Sequence, residues 1–319
     1  MRAPIPSVAA LCLALALARP GTSTAEEPLT RVFLNGVPTP VFFNDGDSWR
    51  VMSGPLEGTR ARLAGYNTLE SFGPVHRWGT WHPYELYINA KMATLNARRG
   101  VWHCHSDLSR DGYGRILWIC PDLAVDQIRK GLAHAMNIDD EPARAEFLAA
   151  QREAMTARRG MWAHGVPEMV MTSAHSADED STRDWHYNRM VSTRFGHSES
   201  IRHRETYPEC QMVCAEERVV DNDRADAAAM RLLEYPELNQ GLAAFSTVHT
   251  AQIAWRWART HELPAWVPTV LRAPVTTRLQ ALEAEGVFGP VTTRPSSCFL
   301  YVGFNNRYGS RRARCLDEH

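Results

Sequence analysis

Between residues 30 and 167 the apolar positions come in short runs of two kinds. The stretch TPVFFNDGDSWRVMS reads as strand, turn, strand, with NDGDS as the turn. TRARLAGYN is a third strand, although Arg62 sits in its middle and Asn67, Thr68 and Glu70 follow at its tip. PYELYINAKMATLNARRG shifts to helical spacing, entered through Pro83 and left at Gly100. VWHCHSDLSRDGYGRILWIC reads as a hairpin with its loop around SRDGYG. VDQIRKGLAHAM predicts a short helix, and EPARAEFLAAQREAMTARRG a longer one between Pro142 and Gly160. Strands first, with helices between and after them, suit a small barrel with packed helices.

The pattern changes at EMVMTSAHSADEDSTRD, residues 168–184, which is polar and rich in Ser, Thr and acid and reads as a linker. Beyond it, residues 185–319 carry helical runs in DRADAAAMRLLEYPEL, LAAFSTVHTAQIAWRWARTHE and VTTRLQALEAEG. A strand, SSCFLYVGF, and a basic turn, NNRYGSRRARC, follow. This second region is expected to be mainly helical, and there is no convincing internal repeat. Trp255 and Trp257 lie on a helix whose spacing makes them core residues.

Composition adds two constraints. With 319 residues and an apolar share of 44%, the chain can bury one large core or two ordinary ones. A formal net charge of −1, from 35 basic and 36 acidic residues, gives no global basic excess, so any nucleic-acid contact must come from a local patch. The N-terminus is more informative. Residues 1–25, MRAPIPSVAALCLALALARPGTSTA, begin with Arg2, continue in an apolar run from Val8 to Ala18 too short to span a bilayer, and end in the small residues Ser23 and Ala25. This is the pattern of a signal peptide, and it predicts a secreted or periplasmic protein. No later segment reads as a transmembrane segment.

Export changes the meaning of the cysteines. Beyond the leader there remain Cys104, Cys120, Cys210, Cys214, Cys298 and Cys315, and an even number in an oxidising compartment favours disulfides. Cys104 and Cys120 are equidistant from Gly112, so a hairpin folded there sets them nearly opposite. Two further bridges tie Cys210 and Cys214 to Cys298 and Cys315, or else link each near pair. The segment GHSESIRHRETYPECQMVC also places His197, His203, Cys210 and Cys214 in a window that imitates a zinc site, but disulfides are the favoured reading.

Three motifs carry candidate chemistry. In NDGDS, Asp45 and Asp47 flank Gly46, which permits a tight turn, and Asp47 is taken as the carboxylate that faces a site. In RLAGYNTLE, a strand and a sharp turn can bring Arg62, the Thr68 carbonyl and Glu70 around one pocket. In RDGYGR, a glycine-rich turn projects Tyr113 and Arg115. Phosphodiester hydrolysis needs these parts: a charge on the phosphoryl oxygens, a carboxylate for the water, and fixed cations for the pentacoordinate state. Taken singly, each motif also fits an ordinary turn or hairpin loop.

Together and in this order, DGDS, RL…NTLE and DGYGR resemble the thermonuclease family, the staphylococcal-nuclease-like domains. The family pattern reads D-G-D-T, then R-L-x-x-(V/I)-D-(T/A)-P-E, then (D/R)-x-Y-G-R. VDQIRKGLAHA and EAMTARRGMW are similar to two of the family's helices, so the resemblance covers residues 37–167. It implies that residues 30–167 form an α+β domain, a five-stranded OB-fold β-barrel with three helices, followed by a disulfide-bearing, mainly helical C-terminal region. It also implies a Ca²⁺-dependent nuclease acting on DNA or RNA. By matched position, Asp47 and the Thr68 carbonyl are metal ligands, Arg62 and Arg115 clamp the phosphate, Glu70 positions or deprotonates the water, and Tyr113 lies beside the nucleotide. Two positions depart from the pattern. Asn67 replaces the second ligand Asp, which removes a negative charge although an amide oxygen still suits calcium. Leu69 replaces the Pro before the Glu.

The remaining polar and aromatic clusters have double readings. His76, Trp78, Trp81 and His82 either stack on single-stranded bases or pack a helix against the barrel. Arg307, Arg311, Arg312 and Arg314 with Tyr308 form a solvated basic turn or extend a phosphate-tracking groove. Rival functions are a non-catalytic OB-fold module that binds nucleic acid and an envelope protein whose C-terminal region recognises a partner.

Overall fold

The computed structural model describes residues 30–317, so the expected leader at 1–25 lies outside the described residues. Among the described residues, seven α-helices accompany several small sheets, none closed into a barrel. Val41–Asp45, Ser48–Val51, Arg60–Leu63 and Ile116–Trp118 form a four-stranded sheet in that order. Its first three strands are antiparallel, and Ile116–Trp118 joins parallel to Arg60–Leu63. The run TRARLAGYN does not stay in one sheet. It turns at Gly65, whose φ of +94° suits glycine, and continues as Tyr66–Thr68 paired with Ala133–Ala135.

Three helices pack on these strands. Pro83–Arg99 begins at His82, whose ring accepts the Tyr84 N–H while Glu85 closes a capping box. Pro121–Arg129 starts directly after Cys120, and Ala145–Thr156 lies within the longer run expected from the sequence. The second and third helices bury their apolar faces against Phe43, Trp49, Leu63, Tyr66, Ile116 and Trp118, while the first adds Ala97 there and packs Leu86 and Ala90 with Trp78, Met161 and Trp162. The Cys104–Cys120 bridge closes the hairpin as its spacing about Gly112 suggests.

The second region departs from expectation in two ways. Residues 168–184 are not a linker throughout: Met169–Ser173 is a strand whose first four residues are buried, paired with His186–Ser192. Nor is the region beyond mainly helical. His186–Ser192 pairs with Ser198–His203, and Met212–Val219 with Thr292–Leu300. These strands bury His186, Asn188 and Ser192 alongside apolar residues, so strict alternation is lost from their sequences. Four helices, Asn222–Leu233, Pro236–Leu242, Thr247–Thr260 and Thr269–Ala284, complete the region, the first two split at Pro236.

The two regions share structure. His76–Arg77 pairs with Cys298 and Phe299 of the strand Thr292–Leu300, and Phe72 and Val75 belong to the core formed by Trp255, Leu279 and Phe299. Trp255 and Trp257 are buried there, as their helical spacing predicts. The cysteines pair as Cys210–Cys315 and Cys214–Cys298, which takes them out of the zinc-like window.

Candidate phosphate-cleaving site

The turn between the first two strands of the four-stranded sheet carries Asp45 and Asp47. Gly46 between them has ordinary negative φ, and its role is close approach. A Cβ there would lie 2.5 Å from the Thr68 methyl and 2.9 Å from Ala93. The Tyr66 hydroxyl donates to the Gly46 carbonyl at 2.8 Å. The turn is therefore seated against both the strand Tyr66–Thr68 and the helix Pro83–Arg99.

Asp47 is buried and both of its oxygens are engaged. Oδ1 pairs with the Arg62 guanidinium at 2.7 Å, and Oδ2 accepts the Thr68 N–H at 2.9 Å. Ser48 and Arg62 face each other across the antiparallel pair, which sets this geometry by register. Arg62 also donates to Asn67 Oδ1 at 2.5 Å. The Asn67 amide nitrogen in turn donates to the Thr68 carbonyl at 2.7 Å and lies 3.3 Å from His134 Nε2. Burial lowers the His134 pKa to about 4, so the ring is neutral, with its proton on the Nδ1 that faces the Ala135 carbonyl.

The second carboxylate of the turn, Asp45, stands beside Asp47. Asp45 holds the Asp47 N–H and the Ser48 hydroxyl on Oδ1, at 3.2 and 2.7 Å. Burial, then Asp47, then Glu70 push the Asp45 pKa up to about 8. Asp45 ends the first strand and Asp47 lies in the turn that follows, so the tight turn brings the two carboxylates together.

Glu70 follows the strand Tyr66–Thr68. Its N–H donates to His76 Nε2 at 3.1 Å, and the buried His76 is kept neutral, its pKa lowered to about 3 by burial and by His134. Since His76 belongs to the strand that joins the second region, that region fixes the backbone of Glu70. Burial raises the Glu70 pKa, opposed first by Arg307 and then by Arg62 and Arg115, while Asp47 adds to the rise.

Arg115 reaches the same electrostatic neighbourhood but is held by Asp111, at 2.7 Å to both its Nε and a terminal nitrogen. Tyr113 is 70% exposed at the turn, with the Arg115 guanidinium 5.4 Å from its ring. Arg60, Arg62, Asn67, Glu70, Arg115 and Arg307 all line one cleft of about 1660 Å³. Arg307 comes from the C-terminal basic turn. It donates to the Val302 carbonyl at 3.2 Å and lies 5.2 Å over the Phe72 ring. Tyr308 beside it has its pKa raised by burial, Glu70 and Asp45. The sequence marked this turn as basic; only the fold reveals that Arg307 is the arginine whose charge acts most on Glu70.

Other candidates go elsewhere. His76 and Trp78 are buried, and the Trp78 and Trp81 indoles donate to the Gly165 and Met161 carbonyls, so these residues pack rather than offer stacking faces. Arg312 pairs with Asp317.

The paired carboxylates of Asp45 and Asp47 are donors of the kind a hard divalent cation takes, and burial followed by the charges of Asp47 and Glu70 raises the Asp45 pKa. The oxygens of Asp47, Asn67 and Thr68 are all engaged in this structure, by Arg62, by the Thr68 N–H and by the Asn67 amide. No protein-family model matches the chain, and no curated protein matches it.

Proposed function

We propose that the protein is an exported, cation-assisted phosphodiesterase of thermonuclease type, acting on DNA or RNA, with an OB-like arrangement of its N-terminal strands. The observation that supports it best is the meeting of Asp45, Arg62, Glu70, Arg115 and Arg307 around one cleft, from segments far apart in the chain, with Arg62 held from behind by the buried Asp47. Two guanidiniums suit the planar, bidentate recognition of a phosphate. A carboxylate whose pKa is raised by burial suits a general base.

In this reading Arg62, pre-set by Asp47 and Asn67, binds a phosphoryl oxygen. Arg115 exchanges some of its contact with Asp111 for a second oxygen, and Arg307, which lines the same cleft, adds charge from the C-terminal turn. Glu70 takes a proton from water as the water oxygen bonds to phosphorus, and the bond from phosphorus to the leaving sugar oxygen breaks. Asp45 and Asp47 would hold calcium, which supplies Lewis-acid stabilisation of the phosphoryl charge. Tyr113, exposed at the rim, lies where a flanking nucleotide would pass.

The test is digestion of DNA and RNA by the purified protein with calcium and with chelator, beside Glu70→Gln. Cleavage by wild type alone, with nucleic acid still bound by Glu70→Gln, supports the enzyme. Binding without cleavage by wild type in ample calcium leaves the second reading, a non-catalytic module. One observation favours that alternative: the Asn67 amide nitrogen donates to the Thr68 carbonyl while Arg62 donates to Asn67 Oδ1, so two oxygens that a calcium site would use are already engaged.

A further inference from the structure

Outside this site, one cluster among the described residues has metal-ligand chemistry. The strand Met169–Ser173 ends in a loop that returns as His186–Ser192, and the loop brings back His175 and Glu179 beside His186. One ring nitrogen from each histidine and one Glu179 oxygen all lie within 4.8 Å of one another. His175 Nδ1 is 2.9 Å from Glu179 Oε2. Two ligands of one tetrahedral zinc, each about 2.0–2.1 Å from the ion, stand roughly 3.3 Å apart, so this pair is already spaced for a shared ion.

Two observations separate the cluster from an ordinary surface ion pair. His186 is 6% exposed, and its Nε2 is a buried nitrogen without a hydrogen-bond partner in this structure. A buried polar atom normally finds a partner, and a metal is one that an imidazole accepts. The carboxylate is also oriented from behind: Glu179 Oε1 accepts the Ser176 N–H at 3.2 Å, and Ser176 Oγ accepts the Tyr207 N–H at 2.8 Å. Such outer contacts hold metal ligands in place. The neighbouring His203 is engaged elsewhere, its Nε2 at 3.2 Å from Asn188 Oδ1.

We propose that His175, Glu179 and His186 form a binding site for a divalent transition ion of the zinc class. Two imidazoles and a carboxylate are a nitrogen–oxygen set that suits zinc, copper or nickel over calcium. Three protein ligands leave a coordination position open. His175 and Glu179 line the same large cleft as Arg62 and Glu70, and His186 does not. The site stands independently of the nuclease reading.

The experiment is titration of the purified, untagged protein with Zn²⁺, followed calorimetrically, and with Co²⁺, followed by its visible absorption. Wild type binds one Zn²⁺ per chain. His175→Ala, Glu179→Gln and His186→Gln each weaken binding at least about tenfold, and His261→Gln, at an exposed histidine paired with Glu283, leaves it unchanged. Circular dichroism verifies folding of each variant. Should His186→Gln fail to fold, loss of the Co²⁺ bands in Glu179→Gln supports the site without touching the buried ring. No binding by wild type, wild-type affinity in any folded variant of the three, or an equal loss in His261→Gln overturns the proposal.

Discussion

Asp47 Oδ1 lies 2.7 Å from a terminal nitrogen of Arg62, with the aspartate side chain 3% exposed and the arginine 22%. The pair joins a turn to the strand beside it. Asn67 holds a second terminal nitrogen of the same guanidinium. An arginine tethered in this way has little orientational freedom left to lose when it meets a phosphate.

Arg62→Lys separates charge from geometry. A lysine keeps the cation but cannot bond Asp47 and Asn67 with two nitrogens of one plane. Cleavage in the digestion assay is expected to fall roughly 10²–10³-fold, the range for losing one preorganised charge-stabilising group. Asp47→Ala acts on the fold as well. It leaves a largely buried guanidinium without its carboxylate, and a loss toward the lower end of about 3–5 kcal/mol is expected, because Arg62 retains some solvent. Urea unfolding measures it, and an unchanged midpoint refutes it.

Asp45 links stability to pH and to cations. Its folded-state pKa is raised from 3.8 to about 8, first by burial, so the folded chain holds a proton that the unfolded chain releases. The stabilising contribution is complete below the unfolded value and is lost as pH rises toward 8. The melting temperature should therefore decline over that interval, and Asp45→Asn should flatten the decline. Added calcium should raise the melting temperature at pH 8 in wild type and do so less in Asp45→Asn. Parallel thermal melts of the two proteins decide it.

Glu70 gives the opposite dependence for activity. Burial raises its pKa above the usual carboxylate value, and the base must be ionised to accept a proton. Cleavage should fall as pH drops through that raised value. Glu70→Gln should lose roughly 10²–10⁴-fold at all pH values while retaining binding, and a rate profile from pH 4 to 9 tests both.

The motifs were legible because each is local. The NDGDS turn, the Arg62 strand and the Tyr113–Arg115 loop are each set by a few residues, and the cystine at Cys104 and Cys120 follows from symmetry about Gly112. Arg307 was not legible as a partner of Glu70. Its position depends on Phe72 and on the Val302 carbonyl, contacts across more than two hundred residues and within a tight turn respectively. The strands from 169 to 219 were hidden for another reason. Buried Asn188, Ser192 and Glu217 are satisfied by hydrogen bonds or charge, so a polar letter there does not mean a solvent face.

Asn67→Asp tests the departure at the second expected ligand. An aspartate removes the amide donation to the Thr68 carbonyl and restores a negative charge beside Asp47. Calcium should bind more tightly, by roughly tenfold if affinity follows ligand charge. Without calcium the variant should be less stable than wild type, because the added carboxylate meets Asp45 and Asp47 in a buried site. Calorimetric titration and melts with and without the ion check the two halves; equal affinity in both proteins would place the ion elsewhere.

Deletion of residues 185–319 should abolish folding of the remainder, not release an independent nuclease. The cut exposes Phe72 and Val75, removes the strand paired with His76–Arg77, and takes away Arg307. His76 would lose the strand that holds it and, with it, the Glu70 N–H it accepts. A milder change isolates the last contact. Arg307→Ala leaves the sheet intact but removes the largest attractive charge on Glu70, so the Glu70 pKa should rise further. The acid limb of the pH–rate profile should move to higher pH, while circular dichroism stays unchanged. An unmoved acid limb would show that the C-terminal turn does not act on Glu70.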